Sequence, residues 1–149
     1  MSISSPAPVF QVVYHSLATY PLPTSADHTR LLALSRVNNQ ARGISGMLLY
    51  AETTGEYLQV LEGPEEEVRA LYRKISVDVR HYSVYALSEG PAAERCFPNW
   101  QMGFAPLEAD ALAQLAGYLN PRKVLNPATG GSALLEVLAD FARTRDVNY

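Results

Sequence analysis

The chain is poor in the residue types from which many sites are built. It holds one cysteine, Cys96, in 149 residues. A single thiol closes no intrachain disulfide and anchors no cysteine-based metal centre. Histidine is scarce as well: His15, His28 and His81 are the three, and no two stand at the i, i+4 spacing of a helical metal pair. His28 is expected to sit exposed in the first turn of a helix. No apolar run approaches the ~18–20 residues that a membrane-spanning helix needs. The start, Met1 to Pro6, lacks the basic residues and the apolar centre of a secretory signal, so a cytoplasmic protein without membrane contact is expected. Lys and Arg number 12 against 15 Asp and Glu, a net charge of −3. With no basic cluster, direct nucleic-acid binding is disfavoured. Neither a Gly-x-Ser-x-Gly elbow nor a Gly-x-x-x-x-Gly-Lys phosphate loop is present. The run Glu65-Glu66-Glu67 suits a helix N-terminus better than paired-carboxylate catalysis. A hydrolytic enzyme is disfavoured.

What is there is a globular composition, 48% hydrophobic and 18% charged. Val9–Tyr14 is β-branched and aromatic and reads as a buried first strand. Pro21 and Pro23 punctuate a loop. Thr24 or Ser25 can cap a helix that begins near Asp27, carries Leu31, Leu32, Leu34 and Val37 on its apolar stripe, and stops near Gly43. Ile44–Tyr50 and Tyr57–Leu61 are close enough to form a hairpin. A second helix starts at Pro64 and runs with Val68, Leu71, Tyr72, Ile75 and Val79 at helical spacing until a break before His81. Ser83–Leu87 and Gln101–Phe104 supply two more strands. The order is β-α-β-β-α-β-β, a ferredoxin-like α+β fold: a five-stranded mixed sheet with two helices on one face. From Pro106 onward, Leu107, Leu112, Leu115 and Leu119, then Leu134, Leu135, Leu138 and Phe141, form two helical stripes about a turn-rich linker. A helical hairpin over residues 106–149 is expected to cover the sheet's other face, as an extension of the 1–105 domain rather than as an effector.

Several polar residues stand where this pattern asks for core. Tyr14 ends an apolar strand, and Gln59 lies between Leu58 and Val60. Asn38 and Asn39 occupy the last turns of the first helix at a cost in propensity. Asp78, Arg80 and His81 follow the second helix, and Trp100 and Met102 bracket the start of the last strand. Each has a structural reading of its own, as a satisfied core tyrosine, a solvent-facing glutamine, helix caps, dipole complements or space-filling anchors.

Taken together, six blocks in order make this chain resemble the BLUF family, flavin-binding sensors of blue light. They are Val13-Tyr14-His15-Ser16, Ser35-Arg36-Val37-Asn38-Asn39, Gly43-Ile44-Ser45-Gly46-Met47-Leu48-Leu49-Tyr50, Leu58-Gln59-Val60-Leu61-Glu62-Gly63, Asp78-Val79-Arg80-His81 and Arg95-Cys96-Phe97-Pro98-Asn99-Trp100-Gln101-Met102. The resemblance implies FAD, with FMN or riboflavin as substitutes, held non-covalently between the two helices. It makes Tyr14 the redox-active tyrosine and Gln59 the glutamine between that tyrosine and the flavin. Asn39 becomes the asparagine at the ring's carbonyl edge, with Asn38 a neighbouring contact. Lys74, Asp78, Arg80 and His81 fall in the region flanking the ring and ribityl side. Trp100 and Met102 are the pair that compete for the place beside Gln59.

The implied function is a reversible photocycle without substrate turnover. Electron and proton transfer between Tyr14 and the flavin rearranges the hydrogen bonds of Gln59 and alters protein–protein contacts. A homo-oligomer and an unidentified downstream signalling protein are the implied partners. Two alternatives stay open at this point, an acylphosphatase-type enzyme on the same fold and a flavin-free regulatory module. The loop after the first strand, His15 to Pro23, has neither the glycines nor the arginine of a phosphate cradle.

Overall fold

A computed structural model describes residues 9–108. Along them run β1 (Val9–Ala18), α1 (Ser25–Arg42), β2 (Ser45–Ala51), β3 (Glu56–Gly63), α2 (Glu65–Ser76), β4 (His81–Ala92) and β5 (Gly103–Leu107). The strands form one sheet in the order β4-β1-β3-β2-β5, antiparallel except for the parallel pair β2–β5. The expected ferredoxin-like order is present, and the fifth strand extends the sheet beyond β2. The helical hairpin expected over 106–149 lies outside the described residues from 109 onward.

Local chemistry explains the helix limits. Thr24 caps α1 through a reciprocal capping box with Asp27: the threonine hydroxyl accepts from the Asp27 N–H and the aspartate accepts from the Thr24 N–H. Gly43 ends it in the left-handed region at φ 71°, where a side chain would be strained. The second helix stops at Ser76, earlier than the apolar spacing suggests. Asp78 takes over the chain there, accepting from the Arg80 N–H at 2.9 Å, so that residues 78–80 turn instead of coiling. Val79 therefore belongs to the turn and is exposed, not part of an α2 stripe.

Two strands are longer than their apolar runs. Pairing with Tyr82 and Tyr85 of β4 and with Tyr57 and Leu58 of β3 carries β1 past Tyr14 to Ala18, so Tyr14 stands inside a central strand. The β1–β4 register shifts between Val13 and Tyr14, a bulge of the kind that re-aims a side chain. As an edge strand, β4 accommodates Pro91.

Alternation divides the sheet. Phe10, Val12, Leu48, Tyr50, Tyr57 and Leu61 face the helices and pack with Leu32 of α1 and Val68 of α2. Burying each such side chain contributes roughly 1.5–3 kcal/mol. The expected α1 stripe is narrower than its leucines suggest: Leu32 is buried, whereas Leu34 and Val37 are about two-thirds exposed. Val13, Met47, Leu49, Leu58 and Val60, on the opposite face, are buried as well.

Candidate functional site

Between α1, the turn after α2 and the sheet lies a cavity of about 630 Å³. Its floor is Tyr14, Leu48, Tyr57, Gln59 and Met102, and Leu31, Leu32, Leu34 and Ser35 of α1 form one wall. Ile75, Asp78, Val79, Arg80 and His81 form the other wall. The Thr19 hydroxyl donates to the Val79 carbonyl at 2.8 Å and its N–H to the Arg80 carbonyl at 2.9 Å, which ties the two rim loops together.

Tyr14 is buried, and its hydroxyl donates to Oε1 of Gln59. Burial pushes the phenol well above its usual range, helped by Tyr57, Tyr72 and Asp78, so Tyr14 stays protonated at any ordinary pH. Its ring meets Tyr72 and His81 edge-on, with centroids 5.5 and 6.2 Å away. The His81 ring is itself pinned, Nδ1 to the Ser16 hydroxyl at 2.8 Å and Nε2 to the Ile75 carbonyl at 2.6 Å. On the other side of the glutamine, Nε2 donates to Sδ of Met102 at 3.2 Å. Tyr14, Gln59 and Met102 thus form one directed chain from β1 across β3 to the segment entering β5. Met102, not Trp100, stands beside the glutamine. Trp100 lies outside the cavity, stacked on Phe97 at 5.8 Å, with its carbonyl accepting from the Gly46 N–H at 3.0 Å.

The two asparagines at the end of α1 have different surroundings. Asn39 is buried and its Nδ2 donates to the Gln101 carbonyl at 2.6 Å, away from the cavity wall. Asn38 is exposed, and it continues the helical row of Leu31, Leu34 and Ser35 that lines the cavity. Arg36 adds a second tie beside Asn39, its Nε donating to the Met102 carbonyl at 3.0 Å. The end of α1 therefore grips the backbone on both sides of the methionine. Lys74 is exposed and does not line the cavity. Asp78 and Arg80 pair on the rim at 2.5 Å, and the arginine holds the Asp78 carboxyl down to about 2.

His28, Tyr57 and Glu62 have roles that their sequence patterns did not suggest. His28 is 4% exposed rather than solvent-facing, because the start of α1 packs directly over the sheet. Its Nε2 lies 2.7 Å from the Tyr57 hydroxyl, and both residues line the cavity. Glu62 is fully buried, and four donors converge on its carboxylate: Gln11 Nε2, the Ser45 hydroxyl, and the N–H groups of Cys96 and Phe97 at 3.1, 3.0, 2.8 and 2.6 Å. It anchors the loop that carries Trp100 and Met102. A signal was available: strand alternation puts Glu62 on the same face as Leu58 and Val60, an apolar face.

These walls suit a flat heteroaromatic ligand. Apolar Leu31, Leu34 and Ile75 offer surfaces to a ring, Gln59 and Ser35 offer donors and acceptors to its polar edge, and Arg30 and Arg80 stand on the rim, each paired with an aspartate, Asp27 and Asp78. Among the described residues no group of histidine, cysteine and carboxylate side chains is placed to hold a metal ion. No helix among them is long and apolar enough to cross a membrane.

A family model described as sensors of blue-light using FAD matches residues 9–103. The chain is 33% identical over 93 residues, 62% of its length, to photoactivated adenylate cyclase subunit alpha of Euglena gracilis, of which it spans 9%. Over 57 residues, 38% of its length, it is 35% identical to the blue light- and temperature-regulated antirepressor BluF of Escherichia coli K12, of which it spans 14%. Among solved structures it is similar to the dark state of BlrB, a BLUF protein, at 30% identity and a TM-score of 0.67, covering 90% of this chain and 97% of that one. A match over most of the described residues, on a fold that surrounds a flavin-sized cavity, places this chain in the BLUF family of blue-light sensors that use FAD.

Proposed function

We propose that this blue-light sensor switches through Tyr14, Gln59 and Met102, and that its native ligand is FAD. The observation that carries this reading is the hydrogen-bonded chain from the Tyr14 hydroxyl through the Gln59 amide to the Met102 sulfur. When bound, a light-excited flavin supplies a one-electron oxidant within the cavity. Tyr14 is the donor: loss of an electron turns a phenol that is a very weak acid into a strong one, and its proton leaves along the bond to Gln59. The amide has an acceptor end and a donor end, so it can exchange the roles of its two partners. Each exchanged bond is worth about 1 kcal/mol net, more in a dry site. Met102 feels the exchange first, because its sulfur is the acceptor of the Gln59 amide N–H.

Ser35 and His81 are the polar wall residues for the ring and ribityl side, and Asn39 and Asn38, at the end of α1, are the further polar contacts for the ring's carbonyl edge. Arg30 and Arg80 are the cations for a phosphate, which favours FAD or FMN over riboflavin. Asn39 and Arg36 hold the backbone of Gln101 and Met102 against α1. A changed Gln59–Met102 contact would therefore be felt at the entry to β5 and at α1 together. We infer that the signal leaves there, through altered contacts with a second copy of the chain or with a downstream signalling protein. The domain itself turns over no substrate. The cyclase and antirepressor activities belong to the named relatives, of which this chain spans a small fraction.

Illuminating the purified protein tests this. The yellow product should shift slightly to the red in blue light and recover in darkness. Tyr14→Phe and Gln59→Ala should keep the flavin and lose the shift. A colourless protein sinks the reading, and a shift that survives both substitutions removes Tyr14 and Gln59 from the mechanism.

A further inference from the structure

Tyr14 is not the one phenol in the cavity. Tyr57 stands two residues before Gln59 on β3, so its side chain shares the helix-facing side with the glutamine. It pairs with Ser16, two residues beyond Tyr14 on β1, which makes Tyr14 and Tyr57 diagonal neighbours across the ladder. Both line the cavity, and both are at most 9% exposed. Their hydrogen-bond partners differ. Tyr14 meets an amide oxygen, a very weak base, whereas Tyr57 meets an imidazole nitrogen at 2.7 Å.

That imidazole is held in place. The His28 ring packs against Tyr50 with centroids 4.5 Å apart and against Phe104 at 5.1 Å. Burial lowers the affinity of His28 for a second proton, and burial raises the Tyr57 phenol above its usual range. The pair at rest is therefore neutral phenol and neutral imidazole, the two forms between which a proton can pass.

We propose that Tyr57, with His28 as its proton acceptor, is a second photo-oxidisable donor in the flavin cavity. The inference rests on the reading that flavin occupies that cavity. The step balances without any added reagent. One electron leaves the Tyr57 phenol for the light-excited flavin, the oxidant that the family's activity supplies. The phenolic O–H bond breaks, and its proton forms an N–H bond at His28 Nε2, leaving a neutral phenoxyl and an imidazolium. Return of the electron and the proton restores both groups. An amide hands the Tyr14 proton back readily, as a fast switch requires. An imidazole, a far stronger base, holds the Tyr57 proton longer. The pair therefore serves photoreduction, a slower outcome than the spectral shift and separate from it.

The test uses flavin-loaded protein with and without the first donor. In Tyr14→Phe, prolonged blue light without external reductant should remove the absorption of the oxidised flavin and raise the electron-spin-resonance signal of a neutral tyrosyl radical. Adding Tyr57→Phe should slow that loss at least about 100-fold and abolish the radical signal, and adding His28→Phe instead should slow it by about 100-fold, the low end of what a positioned proton acceptor contributes. Equal rates in the single variant and in both double variants overturn the proposal. Imidazole nitrogen NMR of the flavin-free protein gives an independent reading. His28 should be neutral with its proton on Nδ1, and Tyr57→Phe should shift the Nε2 resonance; a proton found on Nε2 also overturns it. If the unsubstituted protein binds no flavin, the reading of the cavity fails. If its red shift is normal and the Tyr57 and His28 variants change nothing, this inference alone fails.

Discussion

Single residues in this molecule act through what burial does to them. Tyr14 and Gln59 are ordinary polar side chains until a sheet and two helices exclude water from them; the remaining partners are then each other and Met102. Glu62 is the extreme case, a carboxylate surrounded by four donors. Glu62→Ala leaves four neutral donors without an acceptor and should cost about 1–3 kcal/mol, the range for stranding buried polar groups. A urea titration of the two proteins measures it, and a loss below ~1 kcal/mol would show that water replaces the carboxylate. Asp78 behaves differently because it sits on the rim. Its carboxyl is held down to about 2 against an ordinary 3.8, first by the hydrogen bond from Arg80. A depressed carboxyl adds stability that is complete above its unfolded value and lost as the pH falls through the folded one. Wild type should therefore lose stability relative to Asp78→Asn between about pH 4 and pH 2, and the two should run parallel above pH 5. Urea midpoints collected across that range decide it.

At the scale of elements, end signals were legible and lateral extents were not. Thr24 with Asp27 and the glycine at position 43 are local devices, so α1 runs from the first to the second as read. Thr24→Ala should cost about 1 kcal/mol, a drop in Tm of roughly 4–8 °C in a domain of this size. Strand length is a different matter. Both β1 and β4 extend beyond their apolar runs because each supplies hydrogen bonds to the other, a partnership that no local pattern encodes. A similar long-range demand makes position 46 a glycine: a Cβ there would come within 1.9 Å of the Val60 carbonyl and 3.3 Å of the Met102 methyl. Gly46→Ala should destabilise the hairpin by about 1–3 kcal/mol and displace Met102 from Gln59. Calorimetry reads the first effect. A dark-state absorption band moved from that of the wild type reads the second.

For the whole molecule, the ligand and the fold support one another. The cavity walls include Leu34 and Val79, apolar and largely exposed, so a flat ring laid against them would bury surface that the chain alone does not. A ligand that binds only the folded state stabilises it by mass action, about 2.7 kcal/mol at a concentration 100 times its Kd. Removing the flavin should lower the Tm, and adding it back should restore it in proportion to the logarithm of its concentration. FAD or FMN should restore more than riboflavin does, with the difference reduced in Arg30→Ala and Arg80→Ala. Identical restoration by all three would show that the rim cations meet no phosphate.

The amino-acid sequence by itself determined the order of elements, the limits of α1 and the motif that carries Tyr14, Gln59 and Met102, because caps, turns and period-two alternation act between near neighbours. Tertiary structure alone decided which of Trp100 and Met102 meets the glutamine, which face each asparagine serves, and that His28 and Glu62 are buried. Those outcomes depend on contacts between segments tens of residues apart, such as Asn39 with Gln101 and Glu62 with Phe97. Apart from the alternation that puts Glu62 on an apolar face, spacing along the chain carries no record of them. Only packing against the opposite element settles whether a polar side chain keeps its water or exchanges it for a partner.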